Sequence, residues 1–352
     1  MRRQNIILRY VFVTLVSAIV GCQPTISDRP TVRESTEEES LELPGKGRTI
    51  RSVRSSVLEN HFQVQIVHKA LQKLGYETPP PAELPYSTMF LAIANGDLDY
   101  TTHHREKLQA DFYQNSGGDE KLVKLGIIVN NAMQGYQIDK KTATEYNITH
   151  IGQLKNPELA KLFDSDGNGK ANLVGCESGW ACEFVIEHHL DAYGLRDTVE
   201  QDNGNYVALI ADTMTRHEEG KPVVFFAWTP YWLGSVLKPG EEVMWLEVPY
   251  TAWPEYQQNI SEDDTTINGK NLGFAVENLR IVANREFIEL NPAVKALFEA
   301  IEIPIEDISN QNHLMRTGED SLEDIDRHVE EWIANNQDLF DSWIAEARQA
   351  AE

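Results

Sequence analysis

Basic residues are scarce in this chain of 352: 31 Lys and Arg stand against 55 Asp and Glu, a formal charge of −24. That balance excludes the basic face that nucleic-acid binding needs. It favours solubility and says nothing of the fold. A long apolar run is also missing, because the uncharged stretch Tyr10–Val20 is shorter than the roughly 20 residues a spanning helix takes. Cysteine is nearly absent: Cys22, Cys176 and Cys182 are all there is, without the spacing of a CxxC redox pair or a zinc site. No Gly-x-Ser-x-Gly elbow and no metalloprotease helix motif occur, and Ser178 has no assignable base. A secreted hydrolase is therefore only a distant alternative. No cofactor is expected.

The N-terminus has its own logic. Arg2 and Arg3 precede the apolar stretch, which ends Ser17-Ala18-Ile19-Val20-Gly21-Cys22. A basic start, an apolar core and small residues at its end form a secretory signal, here residues 1–21. An apolar residue, a small one and then Cys is the bacterial lipoprotein pattern, which makes Cys22 the expected lipidation point; an ordinary cleaved signal with an incidental Cys is the alternative. Residues 22–42 are rich in Pro, Ser, Thr and Glu, with the run Glu37-Glu38-Glu39. They bury too little apolar surface to offset ordering and are expected to form a disordered tether. Export permits a Cys176–Cys182 disulfide, the pair left once Cys22 is lipidated. Its small ring contributes roughly 2 kcal/mol by loop closure and fixes the backbone around Trp180.

About 310 residues then remain, enough for two domains. Helical periodicity marks Gln65–Leu74 up to Gly75, Met89–Ile93, Lys140–Tyr146, Ala293–Ile301 and Glu330–Ala347. Leu125–Val129, Gly135–Ile138, Leu173–Val174, Val223–Trp228 and Val243–Val248 read as strands. The alternation predicts α/β layers with mostly parallel sheets, as two lobes with a ligand cleft between them. Asp164–Lys170 imitates a calcium loop, but Gly175 stands where the closing Glu belongs, so a polar turn is expected. His103-His104 and His188-His189 are adjacent pairs that diverge on a strand or helix, so no metal site is expected.

Two aromatic stretches carry the functional signal. Trp180 sits inside the cysteine ring, and Trp228 ends the run VVFFAW just before Pro230. Strand-end aromatics are ordinarily core, yet two held indoles also make a site for quaternary ammonium groups, at roughly 0.5–2 kcal/mol per face. Here the chain resembles the ProX family, the glycine betaine/L-proline-binding proteins of ABC osmoprotectant importers. The likeness rests on Leu43–Gly47, Met133–Lys141, the Cys176–Cys182 ring, Gly204-Asn205-Tyr206 and Trp228-Thr229-Pro230-Tyr231-Trp232. It implies a two-lobed periplasmic-binding-protein fold of type II that closes on its ligand. It also implies an osmolyte as ligand, an ABC permease in the inner membrane as partner, periplasmic location and a monomer. The expected lobes are residues 43–130 plus 254–352, and residues 131–253. The resemblance places Trp180 and Trp228 in a box of three tryptophans around the ammonium group. It places the backbone N–H groups of Ala181 and Cys182 on the carboxylate.

The third tryptophan and the carboxylate-binding histidine of that family align with Arg105 and Gln109. Gln still donates a hydrogen bond. A guanidinium about 5 Å from a trimethylammonium repels it by roughly 3 kcal/mol at an effective dielectric near 20. Three readings follow. Arg105 turns away and pairs with Glu106 or another acid, leaving a two-tryptophan betaine site. Arg105 grips an anionic or hydroxylated group, with the ligand reversed or being a different osmolyte. Or the site has given up tight binding for another recognition role.

Overall fold

The computed structural model describes residues 43–257 and 259–352. The expected signal, Cys22 and the tether lie outside the described residues. Eight strands of four residues or more run in chain order: β1 Tyr100–Arg105, β2 Leu122–Ala132, β3 Gln134–Asp139, β4 Ala171–Val174, β5 Val199–Asp202, β6 Val224–Trp228, β7 Val243–Leu246 and β8 Glu277–Asn284. The longer helices are α1 Asn60–Lys73, α2 Tyr86–Ala94, α3 Ala181–Ala192, α4 Tyr206–Glu218, α5 Pro292–Ala300, α6 Ile305–Arg316, α7 Leu322–Asn335 and α8 Gln337–Gln349. Gly75, at φ +91°, ends the first of them where a side chain would be strained.

Two sheets organise these elements. One has the order β1-β8-β2, with β8 antiparallel to both neighbours. The other has the order β5-β4-β6-β3-β7. Within it β4 is parallel to β5 and β6, while β3 is antiparallel to β6 and β7. The expectation of mostly parallel sheets is therefore corrected. Helical crossovers α3 and α4 keep β4, β5 and β6 parallel, as such connections do. However, β3 follows β2 after the single residue Met133 and enters its sheet from the other direction. The central place of β6 explains its unbroken apolar run, since Val224–Ala227 are buried on both faces.

The five-stranded sheet packs a core that includes Ile138, Leu173, Ile186, Phe225 and Phe226. The three-stranded sheet packs a different one around Tyr100, Ile128, Leu279 and Phe298, closed by α7 and α8. A smaller cluster around Tyr86, Met89 and Phe90 joins β8 to α2, and Trp180 packs against it as well as against the first core. The C-terminal helix expected over Glu330–Ala347 is two helices. Asn336 interrupts it, its side chain donating to the Trp332 carbonyl at 2.9 Å. The chain folds back there so that Trp332 and Trp343 stack with centroids 6.0 Å apart. No helix among the described residues is long and apolar enough to cross a membrane.

Candidate functional site

The cysteine ring leads from β4 into α3. Cys176 and Cys182 are disulfide-bonded, with Cα atoms 6.1 Å apart. Within the ring Gly179 takes φ +88°, a conformation that bulkier residues resist. Its N–H donates to Glu183 Oε2 at 2.6 Å, and Asn203 Nδ2 donates to the other oxygen of the same carboxylate at 2.7 Å. This acid in the first turn of α3 also suits the positive end of the helix dipole. Trp180, extended at φ −78° and ψ 148°, is the N-terminal cap. Ala181 and Cys182 are consequently the first two helical residues, whose N–H groups have no carbonyl within the helix to meet.

Trp228 ends β6, paired with Gln134 of β3. The chain then turns through a cis Thr229–Pro230 bond, fastened by Thr229 N–H to the Met133 carbonyl and by Met133 N–H to Thr229 Oγ1. Trp180 and Trp228 meet edge to face with ring centroids 5.7 Å apart. Tyr206 lies 6.0 Å from the first indole and 4.6 Å from the second, and Tyr231 packs on Trp228 at 4.4 Å. From the other sheet's side Tyr86 reaches Trp180 at 6.4 Å and stacks on His103.

Arg105 and Gln109 reach the same place from the end of β1. The Gln109 N–H donates to the Arg105 carbonyl at 2.9 Å, and the Arg105 N–H donates back to Gln109 Oε1 at 3.0 Å. This reciprocal pair fixes how both side chains leave the strand. Arg105 is buried, and one guanidinium nitrogen donates to the Thr229 carbonyl at 3.2 Å. The other, Nη1, lies 3.6 Å from Glu277 Oε1 and makes no hydrogen bond. Burial lowers the Arg105 pKa and raises that of Glu277, each partly opposed by the other's charge. Glu277 is held by the N–H groups of Lys107 and Leu108 and by Gln134 Nε2, at 2.8, 3.1 and 2.7 Å. Glu106, the one acid named for Arg105 in the sequence, bonds Arg280 instead.

All six residues named for the ligand thus line one cavity: Arg105, Gln109, Trp180, Ala181, Cys182 and Trp228. It is small, about 30 Å³, room for little more than a water. Tyr86 and His103 share its wall, and their part was not legible from local sequence. Burial pushes the His103 imidazole down to about 3, which keeps it neutral beside Arg105. His104 points to the opposite side of β1, against Phe90 and Tyr113. His189 hydrogen-bonds Tyr136 and the Ala252 carbonyl. In the Asp164–Lys170 turn, Asp164 accepts from the N–H groups of Gly167 and Gly169. Among the described residues no three metal-ligating side chains converge.

Known proteins similar to this chain agree among themselves. Residues 48–335 match the family model described as the substrate-binding domain of ABC-type glycine betaine transport systems. The glycine betaine-binding periplasmic protein OusX of Dickeya dadantii is 50% identical over 311 residues, covering 88% of this chain and 93% of that protein. The glycine betaine/proline betaine-binding periplasmic protein of Escherichia coli K12 is 46% identical over 316 residues, 90% and 95% of the two chains. Among solved structures, an ABC-transporter choline-binding protein with choline superposes at a TM-score of 0.66, with 14% identity and coverage of 86% and 96%. Lactococcal OpuAC, closed on glycine betaine, gives 0.64 at 15% identity, covering 84% and 99%. At such identities these structures speak for the fold, that of a two-lobed periplasmic binding protein. By sequence, over most of its length, the chain belongs to the family of substrate-binding domains of ABC-type glycine betaine transport systems.

Proposed function

We propose that this chain captures a zwitterionic compatible solute, of the kind its relatives' names specify, in the cleft between two lobes and presents it to an inner-membrane ABC permease. One lobe would comprise residues 43–130 and 254–352 and the other residues 131–253, with lipid on Cys22 as the tether and the monomer as the working unit. Trp180 and Trp228 supply faces for the ammonium group. The N–H groups of Ala181 and Cys182, with Gln109 and Arg105, take the carboxylate. The observation that carries this reading is the meeting of both indoles, 5.7 Å apart, with Arg105 and the start of α3 around one cavity. A carboxylate suits Arg105 because a buried guanidinium with an unbonded nitrogen wants an anionic acceptor.

Of the readings open to Arg105, this one is favoured over a guanidinium turned away, since the side chain lines the cavity even while Glu277 lies beside it. Closure is then a population shift driven by a solute that touches both lobes. Calorimetric titration with glycine betaine, proline betaine, proline and anionic or polyhydroxylated osmolytes tests the proposal. Saturable binding of at least one zwitterion is expected, and silence across the whole panel would refute it. Membrane fractionation of cells carrying Cys22→Ser tests the tether separately: the protein should leave the membrane fraction.

A further inference from the structure

Trp180 and Trp228 also line a much larger cleft, of about 680 Å³. Its remaining aromatic wall is Tyr206, Tyr231 and Trp232, and Glu59, at the N-terminal cap of α1, faces into it. The charged side chains of this cleft are unequal in sign: Glu59, Glu177, Glu218 and Asp320 against Arg316. Arg316 already lies over the Trp232 ring, 5.1 Å from its centroid. Among the described residues no cation pairs with Glu59. A half-buried acid, unpaired and set among indole and phenol rings, is the chemistry that recognises a quaternary ammonium.

The small cavity beyond the indoles offers the reverse. It is lined by Arg105, one of whose guanidinium nitrogens makes no hydrogen bond, and by Ala181 and Cys182 at the start of α3, and at about 30 Å³ it has no volume for a trimethylammonium group. We infer that the solute lies across the indole pair, its quaternary ammonium in the large cleft toward Glu59 and its carboxylate in the small cavity toward Arg105. The chain then selects zwitterions whose charges stand farther apart than the single carbon of glycine betaine permits. This inference rests on the osmolyte-binding reading above and shifts its preferred substrate, within the zwitterions, beyond the short betaines of the relatives' names.

Titration adds a second readout. Burial pushes the Glu59 carboxyl up to about 7. The groups that face it across the cleft are Glu177 of the cysteine ring, Tyr206 and Glu218 of α4, Tyr231, and Arg316 and Asp320 at the end of α6. A cation seated there favours the ionised carboxylate, so affinity should rise roughly tenfold from pH 6 to pH 8 as Glu59 loses its proton.

The experiment is calorimetry on the full chain with glycine betaine, trimethylaminobutyrate and choline at pH 6, 7 and 8, repeated on Glu59→Gln, Glu59→Asp and Arg105→Gln, each checked for an intact melting transition. The longer zwitterion should bind at least tenfold more tightly than glycine betaine. Glu59→Gln should remove both that preference and the pH dependence, and Glu59→Asp should retain a pH dependence. Choline, which lacks a carboxylate, should weaken with Glu59→Gln and not with Arg105→Gln. If glycine betaine binds as tightly as the longer compound, or Glu59→Gln leaves the ranking unchanged, the inference falls while osmolyte binding stands. If no zwitterion binds the native chain, both fall.

Discussion

Arg105 is the residue on which this site differs most from the resemblance its sequence suggests. Its guanidinium and Glu277 are buried together, 3.6 Å apart, and each partner makes the other's charge tolerable. Removing one partner of such a pair is costly, because the remaining charge stays in a low-dielectric interior. Arg105→Leu should therefore destabilise the protein by about 3 kcal/mol. The double variant Arg105→Leu/Glu277→Gln should recover at least about 1 kcal/mol of that loss, a coupling that denaturant melts of the full mutant cycle measure. Trp228 makes a different kind of contribution. It is partly exposed at the end of an otherwise buried strand, so one face is available to solute. Trp228→Ala should weaken a quaternary ammonium ligand by about 1–2 kcal/mol in calorimetry. An equal loss for an uncharged osmolyte would point to lost packing rather than lost cation attraction.

At the scale of the element, the ring between β4 and α3 joins a structural constraint to a binding geometry. The disulfide, Gly179 in the left-handed region and the Glu183 carboxylate all act on the same few residues. Together they hold Trp180 extended at the cap, so the helix starts at Ala181, and Ala181 and Cys182 line the cavity. Replacing both ring cysteines with serine should cost roughly 2 kcal/mol of stability by the loop-closure argument. Affinity for a zwitterion should fall as well, since the indole and the N–H groups proposed to take the carboxylate lose their fixed relation. Melting of the oxidised protein with and without ligand separates the two effects. Retained affinity in a destabilised variant would assign the ring to folding alone.

For the molecule as a whole, acid sensitivity is written into four buried histidines. Burial lowers His103, His104 and His189 to about 3 and His68 to about 4. Each is neutral when folded and titrates near 6.5 when unfolded, so its stabilising contribution is full above that value and is lost as pH falls toward the folded pKa. Between pH 7.5 and 5.5 the loss is about 1 kcal/mol for each histidine. Glu59 opposes this, because a carboxyl raised to about 7 withdraws stability as pH rises from the ordinary carboxylate range through 7. Burial also raises the Glu277 and Asp202 carboxyls, which act with Glu59, and lowers His61, which acts with the other imidazoles. The imidazoles outweigh the carboxyls, and the melting temperature should drop on going from pH 7.5 to 5.5. A flat or rising profile would mean that the imidazoles are not shielded from solvent.

Much of this protein was legible in its sequence. Helix and strand positions followed from apolar periodicity, and the Cys176–Cys182 ring and the motif at Trp228 marked the candidate site because each is a contiguous stretch with its own stiffness. Sheet direction was not legible, because it depends on β3 following β2 after Met133 alone and entering its sheet against the parallel strands. Nor was the partner of Arg105. Glu277 lies 172 positions along the chain and reaches it only because β8 pairs with β1. Tyr86, His103 and Glu59 join the site for the same reason: each is unremarkable among its sequence neighbours and gains its role from what packs across from it. The sequence by itself determined the local conformations and the stiff aromatic holders, which short-range sterics and covalent bonds set. Only the tertiary structure decided where the charges stand around the indoles, because burial and long-range pairing govern electrostatics, and neither is a property of a segment.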